Sequence, residues 1–226
     1  MLILDNVSKT YTNGKGIKNL SIQFQEGEIT GILGRNGSGK TTMLKSILDL
    51  IQIDNGSILW NEKPVYDQYQ DVAFISEEGS FMPNMSAKEY GIFLKDYYIH
   101  FDQNKYDELL SKFEISDGGK IKEFSKGQQM KTEIAAGFAM NAKLIVLDEP
   151  FNGLDVYAKE DTIKLLIEQR HDDTIILIST HNIEEIETIA DRCIVIDGGS
   201  LVGDTTMDQL HEEGKDLKDL LDQYRK

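Results

Sequence analysis

Several features of secreted and membrane-spanning chains are absent from this sequence. It has one cysteine, so no disulfide can form within the chain, and its three prolines form no proline-rich linker. No apolar run approaches the roughly 20 residues that a membrane-spanning helix requires, and the N-terminus does not resemble a secretory signal. We therefore expect a soluble chain in a reducing cytosol, whose single thiol, Cys193, is a small core residue.

Basic residues are scarce relative to acidic ones. The 24 lysines and arginines are outnumbered by 39 aspartates and glutamates, which leaves a formal net charge of -15. This charge repels a phosphate backbone, because nonspecific nucleic-acid affinity comes mainly from Lys and Arg. We therefore expect no nucleic acid among the direct partners. The 226 residues, 40% of them hydrophobic, can bury one core, and we expect one domain over 1–226 with an insertion.

Alternating and continuous apolar segments predict two kinds of β structure. Apolar residues alternate with polar ones at 2–7 and 20–24, as in antiparallel strands with one solvated face. Segments 29–33, 144–147 and 175–178 are continuously apolar, as in parallel strands that are covered on both faces. The sequence therefore predicts an antiparallel β layer at the start, followed by a parallel central sheet.

Helical patterns lie between and after these strands. Apolar residues recur at helical spacing at 43–51 and 163–167, and the insertion, from about 85 to 137, is helical throughout. It opens at Ser86 with the spacing of a capping box. A last segment, about 206–226, has leucines in a helical pattern; packing on the core is favoured, and a partner surface is the alternative. These patterns predict an α/β fold.

A glycine-rich segment, 34–41, follows the first continuous apolar strand and precedes a helical pattern. It matches the phosphate-binding loop, in which backbone N–H groups and a helix N-terminus converge on a polyphosphate. Lys40 is predicted to place its charge on the β and γ phosphates of the ligand, and Thr41 to ligate Mg²⁺. The alternative is a glycine-rich turn that matches by chance, and the flanking strand and helix argue against it. The predicted nucleotide-binding residues here are Gly34, Asn36, Gly37, Ser38, Gly39, Lys40, Thr41 and Thr42.

Polar residues follow two of the continuous apolar strands, where ligands of open α/β sheets gather. Asp148 is predicted to hold the Mg²⁺ hydration shell, and Glu149 to polarise the water that attacks the γ phosphate. The alternative is a pair of acids that open a polar turn. His181 follows the strand at 175–178 and is suited to sense the γ phosphate. Taken alone, it reads as a structural histidine.

The segment 124–129, Phe-Ser-Lys-Gly-Gln-Gln, resembles the signature of the nucleotide-binding domains of ABC transporters, and the match runs across nearly the whole chain. The resemblance implies a P-loop NTPase core with a parallel central sheet, an N-terminal antiparallel β subdomain and an inserted helical subdomain. It implies an ATPase that powers transport through a separate transmembrane subunit. Departures from the family pattern resemble variants of bacterial exporter-type subfamilies, so export is favoured.

The resemblance also implies a dimer, in which each ATP lies between the phosphate loop of one copy and the signature of the other. The signature residues are Ser125, Lys126, Gly127 and Gln128. The alternative for Ser125 is an ordinary helix N-cap. Implied partners are a second copy or another ABC ATPase, and an integral-membrane permease subunit. The chain is then cytoplasmic and peripheral at the inner face of the cell membrane.

Further roles follow from the same resemblance. Tyr11 looks like the aromatic residue that stacks on adenine, with a surface tyrosine as the alternative. Asp155 lies in the loop through which paired domains communicate, and it can also cap the next helix. Glu77 stands where the family usually has a glutamine that contacts Mg²⁺, and a carboxylate can keep that contact. Lys126 replaces a usual signature glycine.

An apolar stretch, called the docking stretch, lies where the family docks the cytoplasmic helix of its membrane subunit. Its residues are Phe81, Met82, Pro83 and Met85. Burial inside this chain is the alternative. Two other functional classes also contain a phosphate loop. A soluble ABC-type regulatory or mechanical ATPase usually has two motor domains in one chain or long coiled coils, and a P-loop kinase or GTPase leaves 125–129 unexplained.

Overall fold

The computed structural model describes residues 1–76, 78–116 and 118–223. The elements follow in chain order. They are β1 (Leu2–Thr10), β2 (Gly16–Phe24), β3 (Ile29–Leu33), α1 (Lys40–Ile47), β4 (Asn55–Trp60), β5 (Val72–Ser76), α2 (Ala87–Tyr97), α3 (Gln103–Lys112), α4 (Lys126–Ala139), β6 (Leu144–Asp148), α5 (Val156–Glu168), β7 (Ile175–Thr180), β8 (Arg192–Asp197), β9 (Ser200–Thr206), α6 (Met207–Glu212) and α7 (Leu217–Gln223).

The first of two compact units comprises residues 1–69 and 175–223. Its antiparallel sheet has the strand order β2-β1-β4. The apolar residues of β1 and β2 that alternate in the sequence are buried, as the predicted antiparallel layer requires. The unit also holds the strands β7-β3-β8-β9, in which β3 is parallel to β7 and β8, and β9 is antiparallel to β8.

The second unit comprises residues 70–174. Its strands β5 and β6 form a parallel pair, and α4 packs against β5 as well as against the helices α2, α3 and α5. Strand β6 is buried along its whole length, like β3 and β7 of the first unit. The parallel strands predicted from continuous apolar segments are therefore confirmed. The bounds of the helical insertion, about 85–137, stay a prediction.

Two helices, α1 and α5, differ in detail from the apolar patterns that predicted them. Helix α1 ends at Ile47, because the chain turns at Asp49, whose φ is 53°. Ile51 therefore lies beyond the helix that its spacing predicted. In α5, Leu166 is buried, but Ile167 is 54% exposed. The helical pattern at 163–167 is confirmed, because these residues lie within α5, and Ile167 lies outside the buried face of that helix.

The remaining expectations concern burial. Cys193 is fully buried, and burial raises the pKa of its thiol to about 12, which confirms the predicted core residue. Near the C-terminus Leu210, Leu217 and Leu220 are buried within this chain, so the favoured packing is confirmed for the described residues of 206–226. Within 1–76, 78–116 and 118–223, every helix is too short or too polar to cross a bilayer.

Candidate active site

The phosphate loop joins the end of β3 to the start of α1 in the first unit. Gly34 has a φ of 158°, and a Cβ atom there would collide with the carbonyl oxygen of Ile196. Only glycine fits this close approach, because the obstructing atom belongs to the backbone. The loop is thus held tightly at its first residue, while Arg35, Asn36 and Gly37 are exposed.

The polar side chains of the loop and of the first turn of α1 differ in their solvent exposure. Lys40 is 6% exposed, and its Nζ donates a hydrogen bond of 2.8 Å to the carbonyl oxygen of Gly34, so the cation lies across the loop. Thr41 is exposed and Thr42 is half-buried. The Ser38 hydroxyl is buried and has no hydrogen-bond partner among the described residues. A buried hydroxyl ordinarily has a hydrogen-bond partner, which a ligand oxygen or an ordered water supplies.

His181 and Tyr11 belong to the same unit as the loop. Leu33 and Thr180 are paired residues at the ends of the parallel strands β3 and β7, so Gly34 and His181 leave the sheet at the same edge. Tyr11 follows β1 in a turn closed by a hydrogen bond from its N–H to the Lys15 carbonyl oxygen, at 2.8 Å. Tyr11 is 40% exposed, and a stacking surface requires such exposure.

The paired acids lie at the end of β6 in the second unit. Asp148 is the last residue of the strand and is 3% exposed, and Glu149 is 7% exposed. Glu149 adopts a φ of 49°, a left-handed backbone conformation that costs a non-glycine residue about 1–3 kcal/mol. Ser76, the partner of Asp148 in β5, directly precedes Glu77. The predicted metal ligand Glu77 lies outside the described residues.

The signature segment opens α4 of the second unit. Ser125 is the N-cap: its Oγ accepts from the Gln128 N–H at 3.2 Å, and its N–H donates to the Gln128 Oε1 at 2.9 Å. The N-cap geometry is therefore present. It leaves the O–H of Ser125 as a donor, because the hydroxyl oxygen is the acceptor in the cap. Ser125 and Lys126 are exposed.

The loop 152–155 is bound to the signature helix at two points. A Cβ atom on Gly127 would lie 2.6 Å from the Gly153 carbonyl oxygen, so the two backbones touch. Asp155 caps α5 by accepting from the Ala158 N–H at 2.9 Å, which confirms the predicted cap. It also pairs with Lys131 of α4 at 2.8 Å. Hydrogen bonds from Lys131 and from Ala158 lower the pKa of the Asp155 carboxyl.

Glu133 is a polar residue of α4 that the motif analysis missed. It is 2% exposed and borders a cavity of about 310 Å³ in the second unit. The sequence did contain a signal for it, because Glu133 lies between Met130 and Ile134 on the apolar side of the helix. An acid is almost never buried at such a position without a partner. Other residues that line the cavity are Glu78, Phe81, Lys126, Gln129 and Asn152.

A phosphate loop between a buried parallel strand and a helix defines the class of P-loop NTPases. The ABC transporter family matches residues 17–152. The ABC transporter ATP-binding protein YtrB of Bacillus subtilis is 33% identical over 217 residues, which cover 94% of this chain and 74% of YtrB. The SkfA peptide export ATP-binding protein SkfE of the same bacterium is 29% identical over 228 residues, with coverage of 98% and 95%.

A solved structure adds a comparison of folds. It is the dimeric ATP-binding cassette MJ0796 in a post-hydrolysis state, bound to ADP and Pi. Its TM-score is 0.81 at 26% identity, and the alignment covers 92% of this chain and 99% of that one. The chain therefore belongs to the ABC transporter family. It is an ATP-binding and ATP-hydrolysing subunit that powers transport through a membrane partner, and the predicted family, fold class and enzyme activity are confirmed.

Proposed function

We propose that this chain is the motor of a membrane exporter, in which two ATPase chains close on two ATP molecules and move an attached permease. The two chains are two copies of this protein or one copy with a related ABC ATPase. The observation that carries the proposal is the phosphate loop, with the Lys40 cation lying across it and the orphaned Ser38 hydroxyl beneath it. The cation and the loop N–H groups suit the negative phosphates of ATP.

The proposed metal is Mg²⁺, which prefers hard oxygen ligands such as hydroxyl and carboxylate groups and retains several waters. The exposed Thr41 hydroxyl, the Asp148 carboxylate and the Glu77 carboxylate are the proposed ligands, directly or through water. When bound, Mg²⁺ neutralises charge on the β and γ phosphates. Thr42 extends the contacts toward the α phosphate, and Tyr11 stacks on the adenine ring.

Glu149 is the proposed general base, which accepts a proton from the attacking water. His181 donates a hydrogen bond to a γ-phosphate oxygen and so registers whether that phosphate is present. A positioned base is worth about 10²–10⁴-fold in rate, so Glu149→Gln should lower ATP turnover by about that factor. The matched control is Glu160→Gln, because Glu160 is exposed on α5. Normal turnover by Glu149→Gln would remove Glu149 as the base.

The signature is proposed to bind the ATP of the partner chain. The Ser125 hydroxyl and the Gly127 N–H are donors at the N-terminus of the 14-residue helix α4, whose dipole favours negative charge. Gln128 supports Ser125 through the capping box, and exposed Lys126 adds a cation. Asp155 couples the loop 152–155 to α4 through Lys131. Closure of the pair then brings each signature onto the opposite nucleotide.

The permease is proposed to dock on the apolar stretch 81–85, at the inner face of the cell membrane. Met82 is 42% exposed and Pro83 is exposed, whereas Phe81 and Met85 are half-buried. Export is favoured by the likeness to SkfE, whose name records peptide export. Met82→Asp should abolish copurification of the permease from detergent-solubilised membranes. Leu59→Asp, at an exposed apolar residue of the first unit, is the control and should leave copurification intact.

A further inference from the structure

A buried carboxylate connects the middle of α4 to the segment that opens the docking stretch. Glu133 Oε1 accepts from the Ser80 N–H at 3.0 Å, and Oε2 accepts from the Ser80 hydroxyl at 2.7 Å. The N–H of Phe81 also stabilises the carboxylate. Two backbone donors and one hydroxyl of residues 80–81 thus converge on one side chain of the signature helix.

The docking stretch is also bound to the residues that lead into α4. The Ile121 N–H donates to the Met85 carbonyl oxygen at 2.9 Å, and the Lys122 N–H donates to the Pro83 carbonyl oxygen at 3.1 Å. The Lys122 Nζ donates to the Asn84 Oδ1 at 2.9 Å. The stretch is therefore held at its C-terminal end by residues 121–122, and at its N-terminal end by Glu133.

The Glu133 contact is costly to break, which suits it to transmit force. A buried carboxylate that loses its donors incurs its full desolvation penalty, and hydrogen bonds to charged groups are stronger than those between neutral groups. Glu133 lies eight residues after Ser125, about 12 Å along the helix axis at 1.5 Å per residue. A displacement of residues 80–81 therefore acts on the body of the helix whose first turn carries the signature.

We propose that Glu133 is a positioning residue that clamps the docking stretch to the signature helix, so that movement of one is transferred to the other. The proposal rests on the function proposed above for both surfaces. Glu133 touches neither nucleotide nor permease in this role, and it acts through Ser80 and Phe81. Without the clamp, ATP binding still draws the signature onto the nucleotide, but the docking stretch no longer follows.

Backbone amide hydrogen exchange of the whole chain tests the clamp. At pH 8, where the Glu133 carboxyl is ionised, and in the absence of ATP, the Ser80 and Phe81 amides should exchange about tenfold faster in Glu133→Ala than in wild type, because a hydrogen bond to a charged acceptor is lost. Glu133→Gln keeps one acceptor oxygen and should restore part of the protection. Ser80→Ala removes only the hydroxyl and serves as a milder variant if Glu133→Ala does not fold. Glu108→Ala, at an exposed glutamate of α3, is the control.

Addition of Mg·ATP in a Glu149→Gln background tests the transfer. ATP should slow exchange both in the first turn of α4 and at residues 80–81, and Glu133→Ala should abolish the second response while keeping the first. The clamp is overturned if Glu133→Ala leaves exchange at 80–81 within about twofold of wild type, or if ATP still protects that segment equally. If ATP protects the first turn of α4 in no variant, the pairing proposal fails, and the ATP-free comparison still decides the clamp.

Discussion

The carbonyl oxygen of Gly153 lies 2.6 Å from the position that a Cβ atom of Gly127 would occupy. The first turn of the signature helix and the loop 152–155 are therefore in backbone contact, and Lys131 and Asp155 add an ion pair beside it. A contact this close admits no side chain at position 127. The glycine of the signature thus has a packing role in addition to its proposed contact with phosphate.

Gly127→Ala tests the packing role. The new methyl group meets a backbone oxygen that cannot rotate away, so we expect a loss of unfolding free energy of about 1–3 kcal/mol and displacement of the loop 152–155. ATP turnover should fall with it, because the signature and the loop move apart. Urea unfolding and steady-state ATPase assays measure the two effects.

The matched control is Gly118→Ala. Among the described residues, and apart from its chain neighbours, no heavy atom lies within 4 Å of a Cβ placed on Gly118, so this alanine should leave both quantities near their wild-type values. Wild-type stability and turnover of Gly127→Ala would show that the two backbones do not pack as described.

Lys40→Ala tests the phosphate loop. Removal of the only side-chain cation that bonds within the described loop should weaken ATP binding by at least about tenfold, since hydrogen bonds to charged groups are worth about 1.5–3 kcal/mol. Calorimetric titration with Mg·ATP measures the change. Lys63→Ala, at an exposed lysine of the same unit, should bind ATP as wild type does. Equal affinities of the two variants would exclude Lys40 as a phosphate ligand.

Glu133 should make stability depend on pH. Burial raises the pKa of its carboxyl from 4.5 to about 7, so the folded state retains a proton that the unfolded chain has released. The stabilisation of the folded state by this retained proton is fully present below pH 4.5 and is lost as the pH rises through about 7. The free energy of unfolding changes by an amount on the order of 3 kcal/mol. Glu133→Gln cannot titrate, so the stability of wild type relative to Glu133→Gln should fall from pH 5 to pH 8.

The groups that face Glu133 do not obscure this test. Burial, and to a lesser degree the nearby Glu133, raises the pKa values of Tyr90 in α2 and Tyr106 in α3 above their ordinary range, so both stay neutral. Glu78 and Lys126, which border the same cavity, are exposed. Urea unfolding at several pH values supplies the measurement, and parallel curves for the two proteins would contradict the assignment.

Cys193 should be unreactive in the folded protein. Burial raises the pKa of its thiol to about 12, and the thiolate is the form that attacks thiol reagents. Reaction with a disulfide reagent at pH 8 should therefore occur only at the rate of unfolding, and it should become complete in denaturant. Rapid labelling under native conditions would place the thiol at the surface.

Local signals in the sequence predicted much of the fold. The continuously apolar strands β3, β6 and β7 could be recognised because burial on both faces leaves no polar position. The helix starts at Ser86 and Ser125 could be recognised because a capping box needs only residues three positions apart. Each of these features is fixed by near neighbours in the chain.

Features that depend on distant residues could not be predicted in the same way. The Glu133–Ser80 hydrogen bonds join residues 53 positions apart, and the contact of Gly127 with Gly153 requires the packed positions of a helix and a loop. Ile167 fits the helical spacing of apolar residues, but this spacing does not show which side of an apolar helix face is buried by its neighbours. The end of α1 before Ile51 depended on the backbone turn at Asp49, which apolar spacing does not report.

The most direct test of the account is the mass of the Glu149→Gln protein in solution, measured by light scattering with Mg·ATP, with Mg·ADP and without nucleotide. The account predicts a dimer in Mg·ATP alone, because the phosphate loop of one chain and Ser125 of the other then hold the same γ phosphate. Adding Ser125→Arg, which places a bulky side chain in that contact, should restore the monomer. A protein that stays monomeric in Mg·ATP, also with its permease present, would contradict the shared nucleotide site.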